Sequence, residues 1–407
     1  MKLLYLIHIY QPPYQTDDIL LKVVRECYLR LFQIINSSSK AKIVLNINGS
    51  LSELLYKAGF NEVIDEIRSA ADKGRIEFTG SAAYHPILPL LPEEEITRQI
   101  RVNNEINRHI IGEAYRPVGF FCPEMCYSHK IGPIIQKAGF KWVIIDEVAF
   151  NGTISSYPKN SIFSDDNLIL LLRNRDVSNV LAFSIWRKKD IDKSEHLKKF
   201  IHECMKTGDY LCLATDGEVF GHHKKNRENL LRELLSDRGV EWCGFSDLTS
   251  IVSKVQTIIP IESSWSSQPF ELQEDIPFSL WNDPTNELHA VQWNFVSLGM
   301  EILNRNIGND EFRNRLDRCL CSDQFFWASC RPWWDGMMVE KGAQALHDAI
   351  LSAGNIRKHH RIKATRLYKK ILKLVDEWNK KGIAKSKRRD FLRRSGISEE
   401  RVQRVLM

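Results

Sequence analysis

Up to about residue 250, short apolar runs alternate with longer stretches in which apolar residues recur every three or four places. The short runs predict strands over 2–8, 43–46, 76–79, 118–121, 142–145, 211–214 and 240–244. The longer stretches predict helices over 18–36, 60–73, 92–111, 132–138, 191–207 and 226–236, and Ser50 with Glu53 opens another as a capping box. A looser span between them includes 168–173 and 180–184. Strands alternating with helices of this length imply parallel pairing with right-handed crossovers. The number of units favours a barrel over an open sheet. From 251 to 283 the chain becomes extended and rich in Ser, Pro and Gln, and beyond it helices are predicted over 287–304, 311–319, 340–353 and 361–380. We place boundaries that give a barrel over 1–257, a helical domain over 258–353 and a basic helical extension over 354–407.

The 407 residues, 43% hydrophobic, suffice for a barrel-sized core, and no apolar run approaches the roughly 20 residues of a membrane-spanning helix. The N-terminal MKLLYLIHIYQPPY reads as a first strand rather than a signal peptide. Its apolar part is brief, contains His8 and lacks a small-residue cleavage site. Nine scattered cysteines in apolar surroundings predict free thiols and a reducing, cytoplasmic setting. The net charge of +6 is uneven. Residues 354–407 carry 18 Lys and Arg against 5 Asp and Glu, a surplus of 13 that leaves the first 353 residues at −7. Ile362, Leu367, Ile371, Leu372, Leu374, Val375 and Trp378 recur through that basic segment at helical spacing, which predicts the solvated face of a packed helix and no nucleic-acid partner.

Polar residues then mark candidate chemistry at the strand exits. The run 211–223, LCLATDGEVFGHH, delivers Asp216, Glu218, His222 and His223 into a Gly-punctuated loop. In a parallel barrel the carboxyl ends of the strands are where side chains from different strands meet. His8 and Gln11 stand where Pro12 and Pro13 stop the first strand. Glu77 lies inside a strand whose neighbours Ile76 and Phe78 point the other way, so it faces the barrel interior or its mouth. A carboxylate there costs several kcal/mol unless paired, which favours a functional role over a structural one. His85 follows in YHP. Glu124 succeeds an apolar strand and a proline with few charges nearby. Further on, Asp323, Trp327, Trp333 and Trp334 combine a carboxylate with indoles able to stack on sugar rings, although packed core aromatics carry the same signature.

In their order and spacing, HIYQPP, GRIEF with YHPILPLLP, GFFCPE, ATDGEVFGHH and SDQFFWA resemble the five motifs of glycoside hydrolase family 57, from residue 8 to about 335. The resemblance implies an incomplete (β/α)7 barrel followed by a C-terminal α-helical bundle. It also implies retaining chemistry on α-linked glucans such as maltooligosaccharides, by hydrolysis or by 4-α-glucanotransfer, with neither metal nor other cofactor. Matched position by position, Glu124 is the nucleophile and Asp216 the general acid/base. His8, Glu77, Glu218, Asp323 and Trp327 match supporting or sugar-binding positions, and Gln11, His85, His222, Trp333 and Trp334 join the substrate-contact candidates. Tyr10 replaces a usual histidine and Phe121 a usual tryptophan, departures that touch substrate contacts and leave both carboxylates in place. Retention needs one carboxyl ionised and its partner protonated, about 5 to 5.5 Å apart. Repulsion from Glu218 is the expected means of keeping Asp216 protonated.

Two other readings compete. Asp216, His222 and His223, with His8, would hold a divalent metal in a polysaccharide deacetylase-like hydrolase, but adjacent histidines diverge on a helix or strand and ligate one ion awkwardly. A catalytically inactive carbohydrate-binding homologue would be expected to lose one of the two carboxylates, and this chain keeps both.

Overall fold

The computed structural model describes residues 2–183, 194–251, 255–305 and 308–398. Ten strands form one sheet: β1 Lys2–Ile9, β2 Ile43–Ile47, β3 Ile76–Gly80, β4 Gly119–Phe121, β5 Trp142–Asp146, β6 Ile162–Asp165, β7 Leu168–Arg173, β8 Tyr210–Asp216, β9 Glu241–Trp242 and β10 Val255–Thr257. Seven of them run parallel in the order β7-β5-β4-β3-β2-β1-β8, an incomplete barrel as expected; six of these match predicted strands, whereas β7 falls in the span read as loose and the predicted strand over 240–244 lies outside the seven. The far edge of β7 is taken by antiparallel β6, with β10 beyond it, so among the described residues no eighth strand lies between β7 and β8.

The two-residue alternation of strands sorts the core. In β1, Leu3, Tyr5, Ile7 and Ile9 pack against the helices Asp17–Val23, Leu29–Ser37 and Arg227–Ser236, whereas Leu4 and Leu6 join Val44, Phe121, Ile144, Leu171, Cys212 and Ala214 inside the barrel. The predicted helix over 18–36 contains a π-helical segment, Val24–Tyr28. Two spans depart from expectation. Arg175–Phe183 is helical where the sequence looked loose, and the strand near 240 shortens to two residues. The predicted helix over 191–207 is seen as Ser194–Met205, and its first residues lie outside those described, as does Ser184.

The chain divides into two compact units. One holds residues up to Ala83 and Leu88–Trp265; the other holds Tyr84–Ile87 and the chain from Ser266 onward. In the second unit the helices Glu287–Leu303, Asp310–Arg318, Gly336–Leu351, Lys358–Lys380 and Ile383–Ser395 enclose Phe295, Leu316, Leu346, Ile350 and Ile371. Along Lys358–Lys380, Ala364, Ile371, Leu374, Val375 and Trp378 are buried and the lysines face out, as the helical spacing predicts, except that Ile362 is exposed. All nine cysteines are free. Among the described residues no helix is long and apolar enough to cross a membrane.

Candidate active site

The inward row of each barrel strand ends on a polar or aromatic side chain: His8, Asn46, Thr79, Phe121, Asp146, Arg173 and Asp216. The register of β1 places His8 beside both Asn46 and Asp216. His8 Nδ1 lies 2.7 Å from Asn46 Oδ1, while Asn46 Nδ2 donates to Thr79 Oγ1 at 2.8 Å. With the amide nitrogen committed to Thr79, the amide oxygen accepts the Nδ1 proton and leaves Nε2 as the acceptor nitrogen. Burial holds the imidazole down to about pKa 4, so His8 is neutral near neutrality. Its ring stacks on Phe121 at 4.7 Å and meets Trp265 edge-on at 6.0 Å.

Glu124 sits in the turn after β4 with φ 57° and ψ 18°, and Met125 follows at φ 50°. Left-handed backbone at a non-glycine residue costs on the order of 1–3 kcal/mol and persists only where surroundings fix it. Here Trp265 grips the residue twice, its Nε1 donating to Glu124 Oε2 at 2.9 Å and its backbone N–H to the Glu124 carbonyl at 3.4 Å. An indole N–H on a carboxylate oxygen favours the ionised form.

Asp216 closes β8. Part of its surface is open, yet protein atoms crowd the carboxyl, and burial pushes it up to about 6 against the pull of the Arg173 guanidinium. Burial, rather than repulsion from Glu218, is therefore the first cause of the raised Asp216 carboxyl. Glu218, in the turn Gly217–Val219, is buried, and one of its oxygens accepts from the Tyr10 backbone N–H at 3.2 Å, from Gln11 Nε2 at 3.4 Å and from the Tyr28 hydroxyl. Burial first and the Asp216 charge second push Glu218 up to about 7. The π-helical segment supplies three contacts to this turn: Tyr28 to Glu218, the Cys27 thiol to the Gly217 carbonyl at 3.1 Å, and Glu26 to His222 Nδ1 at 2.6 Å. Gly221 is needed where the two segments meet, since a Cβ there would lie 2.1 Å from the Glu26 carbonyl oxygen.

The first unit thus gathers His8, Gln11, Glu124, Asp216 and Glu218. Glu77 points into the barrel as expected, but two residues below the mouth, level with Val44. Its carboxylate accepts from the Ser246 hydroxyl and from the Ser246 backbone N–H at 3.3 Å, and burial raises its pKa. These bonds meet the cost of burying the charge and favour an internal brace over a sugar contact for Glu77. His222 is turned onto Glu26, and burial holds His223 down to about 4. The deacetylase-like ligand set is not assembled. Among the described residues the one group with ligand atoms all within 4.8 Å is His129, Asp165 and Asp166, in which Tyr127 and His129 already bond both Asp165 oxygens.

The remaining candidates lie in the second unit. His85, at φ 58°, is buried with Nδ1 3.0 Å from Ser322 Oγ. Asp323 begins the short helix Asp323–Phe326, and Trp327 and Trp333 are half-buried around Phe326, at ring distances of 5.2 and 5.8 Å. Trp334 stacks on Trp378 at 5.5 Å and donates to Asn379 Oδ1 at 3.0 Å. One face and the N–H of Trp334 are thus engaged by the helix Lys358–Lys380.

Several residues of the mouth escaped sequence reasoning. Asp146 and Arg173 end apolar strands just as Asp216 does, so the same rule applied to WVIID and LILLLR finds them. Tyr28 and Trp265 carried no such signal.

A family model described as Glycosyl hydrolase family 57 matches residues 5–261. An α-amylase of Pyrococcus horikoshii is 26% identical over 144 residues, 35% of this chain and 22% of the relative. A 4-α-glucanotransferase of Thermococcus litoralis is 22% identical over 144 residues, 35% of this chain and 21% of the relative. The matched stretch thus spans about a fifth of the length of these curated relatives. Among solved structures, the 4-α-glucanotransferase from Thermococcus litoralis superposes with a TM-score of 0.69 at 17% identity, over 87% of this chain and 59% of that one. The branching enzyme from Pyrococcus horikoshii gives 0.66 at 14%, over 97% and 94%. At such identities these structures establish a shared fold.

Proposed function

This chain belongs to glycoside hydrolase family 57, and from that premise we propose a retaining glycosidase or glucanotransferase acting on α-linked glucans. Glu124 is the nucleophile and Asp216 the general acid/base. The observation that carries the assignment is the contrast between the two carboxyls: Glu124 accepts an indole N–H, a bond that favours a carboxylate, and burial raises Asp216 to about 6. Environments that push two carboxyls apart in this way assign their roles.

In the first step the Glu124 oxygen attacks the anomeric carbon while Asp216 gives its proton to the departing glycosidic oxygen, leaving a covalent glycosyl-enzyme. In the second, Asp216, now ionised, takes a proton from water or from a sugar hydroxyl as that oxygen attacks the anomeric carbon and releases Glu124. Neutral His8 offers an acceptor nitrogen to a sugar hydroxyl. Asp323, Trp327 and Trp333 remain proposed sugar contacts, as do Gln11, His85 and His222.

Incubation with maltooligosaccharides of defined length, with separation of the products, tests the substrate class. Shorter products alone mean hydrolysis, longer ones mean transfer, and no change on any α-glucan overturns the reading. Glu124→Ala and Asp216→Ala are each expected to lower turnover by several orders of magnitude in a folded protein; near-full activity in either removes that residue's role.

A further inference from the structure

Among the described residues no strand pairs with the outer edge of β8 to take its backbone groups. The segment after β7 takes them instead. The Asn174 N–H donates to the Cys212 carbonyl at 2.8 Å, Ser178 Oγ accepts from the Ala214 N–H at 3.2 Å, and Arg173 Nε donates to the Ala214 carbonyl at 2.9 Å. The last of these is two residues short of Asp216. Arg173 is buried, and its other nitrogens are also engaged: Nη1 donates to Asp146 Oδ2 and Nη2 to Asn179 Oδ1, each at 2.8 Å. Its guanidinium lies 5.8 Å from the centre of the Trp265 ring, whose N–H holds Glu124.

Asp146 anchors this arrangement from the end of β5. Its second oxygen accepts from Arg175 Nε at 2.8 Å, and Arg175 reaches on to the Ser264 carbonyl at 3.1 Å, next to Trp265. One buried carboxylate therefore orients two guanidiniums, one tied to the strand that carries the acid and the other to the segment that grips the nucleophile. Two cations about one anion leave a surplus positive charge at the mouth. Glu147, which accepts from the Arg175 N–H at 2.6 Å and which burial raises to about 7, offsets it little below that pH.

We propose that Arg173 is the positioning residue of the acid: it ties the end of β7 to the outer edge of β8 and fixes the carboxyl end of β8, and with it Asp216, relative to Glu124. This rests on Asp216 being the general acid/base. Each nitrogen of the Arg173 guanidinium donates to protein, and lysine cannot replace it because a single ammonium does not reproduce the fork.

Besides Arg173, the ionisable groups around Asp216 are Glu218 in the following turn, His8 and Tyr5 on β1, the proposed nucleophile Glu124, and Asp146 with Arg175 behind Arg173. Arg173 is the cation that lowers Asp216, so its loss lets the acid hold its proton to higher pH. The test is kcat, KM and the pH profile of Arg173→Lys and Arg173→Gln on maltooligosaccharides, with Asp216→Ala in parallel. Both Arg173 variants are expected to lose about 10- to 100-fold in kcat at little-changed KM, as a displaced acid would. Arg173→Gln should also move the alkaline limb upward by about one pH unit, and Arg173→Lys should leave it in place. Wild-type kcat in folded Arg173→Lys overturns the proposal whether or not Arg173→Gln folds. So does an unmoved limb in folded Arg173→Gln, which would reduce Arg173 to a stabilising role. Near-full activity in Asp216→Ala overturns the acid assignment itself, whatever Arg173 does.

Discussion

Replacing Glu218 by glutamine should make the protein more stable in alkali than the wild type. Glu218 is 4% exposed, and burial together with the Asp216 charge lifts its pKa from an ordinary 4.5 to about 7. The folded state therefore binds this proton more tightly than the unfolded chain does. Its contribution to stability is fully present below about pH 4.5 and is lost as the pH rises through 7. At about 1.4 kcal/mol per pH unit, the gap amounts to about 3 kcal/mol. Glutamine keeps an oxygen for the Tyr10, Gln11 and Tyr28 donors, which all converge on one carboxylate oxygen, and it has no charge to bury. Denaturant titrations of both proteins from pH 4 to pH 8 provide the measurement. Near pH 4 the two should be similar, and by pH 8 Glu218→Gln should be ahead by about 3 kcal/mol, or about 6 °C at roughly 2 °C per kcal/mol. A difference that stays constant across the range would refute the reasoning, because Glu218 would then have the same pKa folded and unfolded.

The Asp216 pKa of about 6 sets the working range: turnover should be sustained below pH 6 and fall as the acid loses its proton, and a rate that rises from pH 6 to 8 would contradict an acid role. Glu77→Ala should leave KM within about twofold and destabilise by about 1–3 kcal/mol, since it strips partners from the Ser246 hydroxyl and N–H; a large KM increase would return Glu77 to the substrate. Trp334→Ala should cost about 3–5 kcal/mol through the lost stack on Trp378, whereas Trp327→Ala should raise KM with little change in melting. Activity should survive EDTA; its loss, with recovery on adding a divalent metal, would favour the deacetylase-like chemistry.

The barrel was legible because a strand's alternation and a helix's period are local. Leu4, Leu6 and His8 announce an inward row within a few residues, and the polar end of such a row announces the mouth. Asp216 stood out for that reason, Glu124 because it follows an apolar strand and a proline, and Asp146 and Arg173 obey the same rule as Asp216. What surrounds each carboxyl is not local. Trp265 comes 141 residues after the Glu124 it grips, and Tyr28 comes 190 residues before the Glu218 it bonds. A pKa depends on how densely distant segments crowd a group and which donors they bring, so the cause of the raised Asp216, and the bonds that favour Glu77 as a brace, appear only in three dimensions. The same holds for the tie between β7 and β8. Sequence determined that alternating strands and helices would curl into a barrel with carboxyls at its strand exits; the tertiary structure decided that a buried guanidinium would tie the ends of three strands together, because only folding brings β5, β7 and β8 to one point.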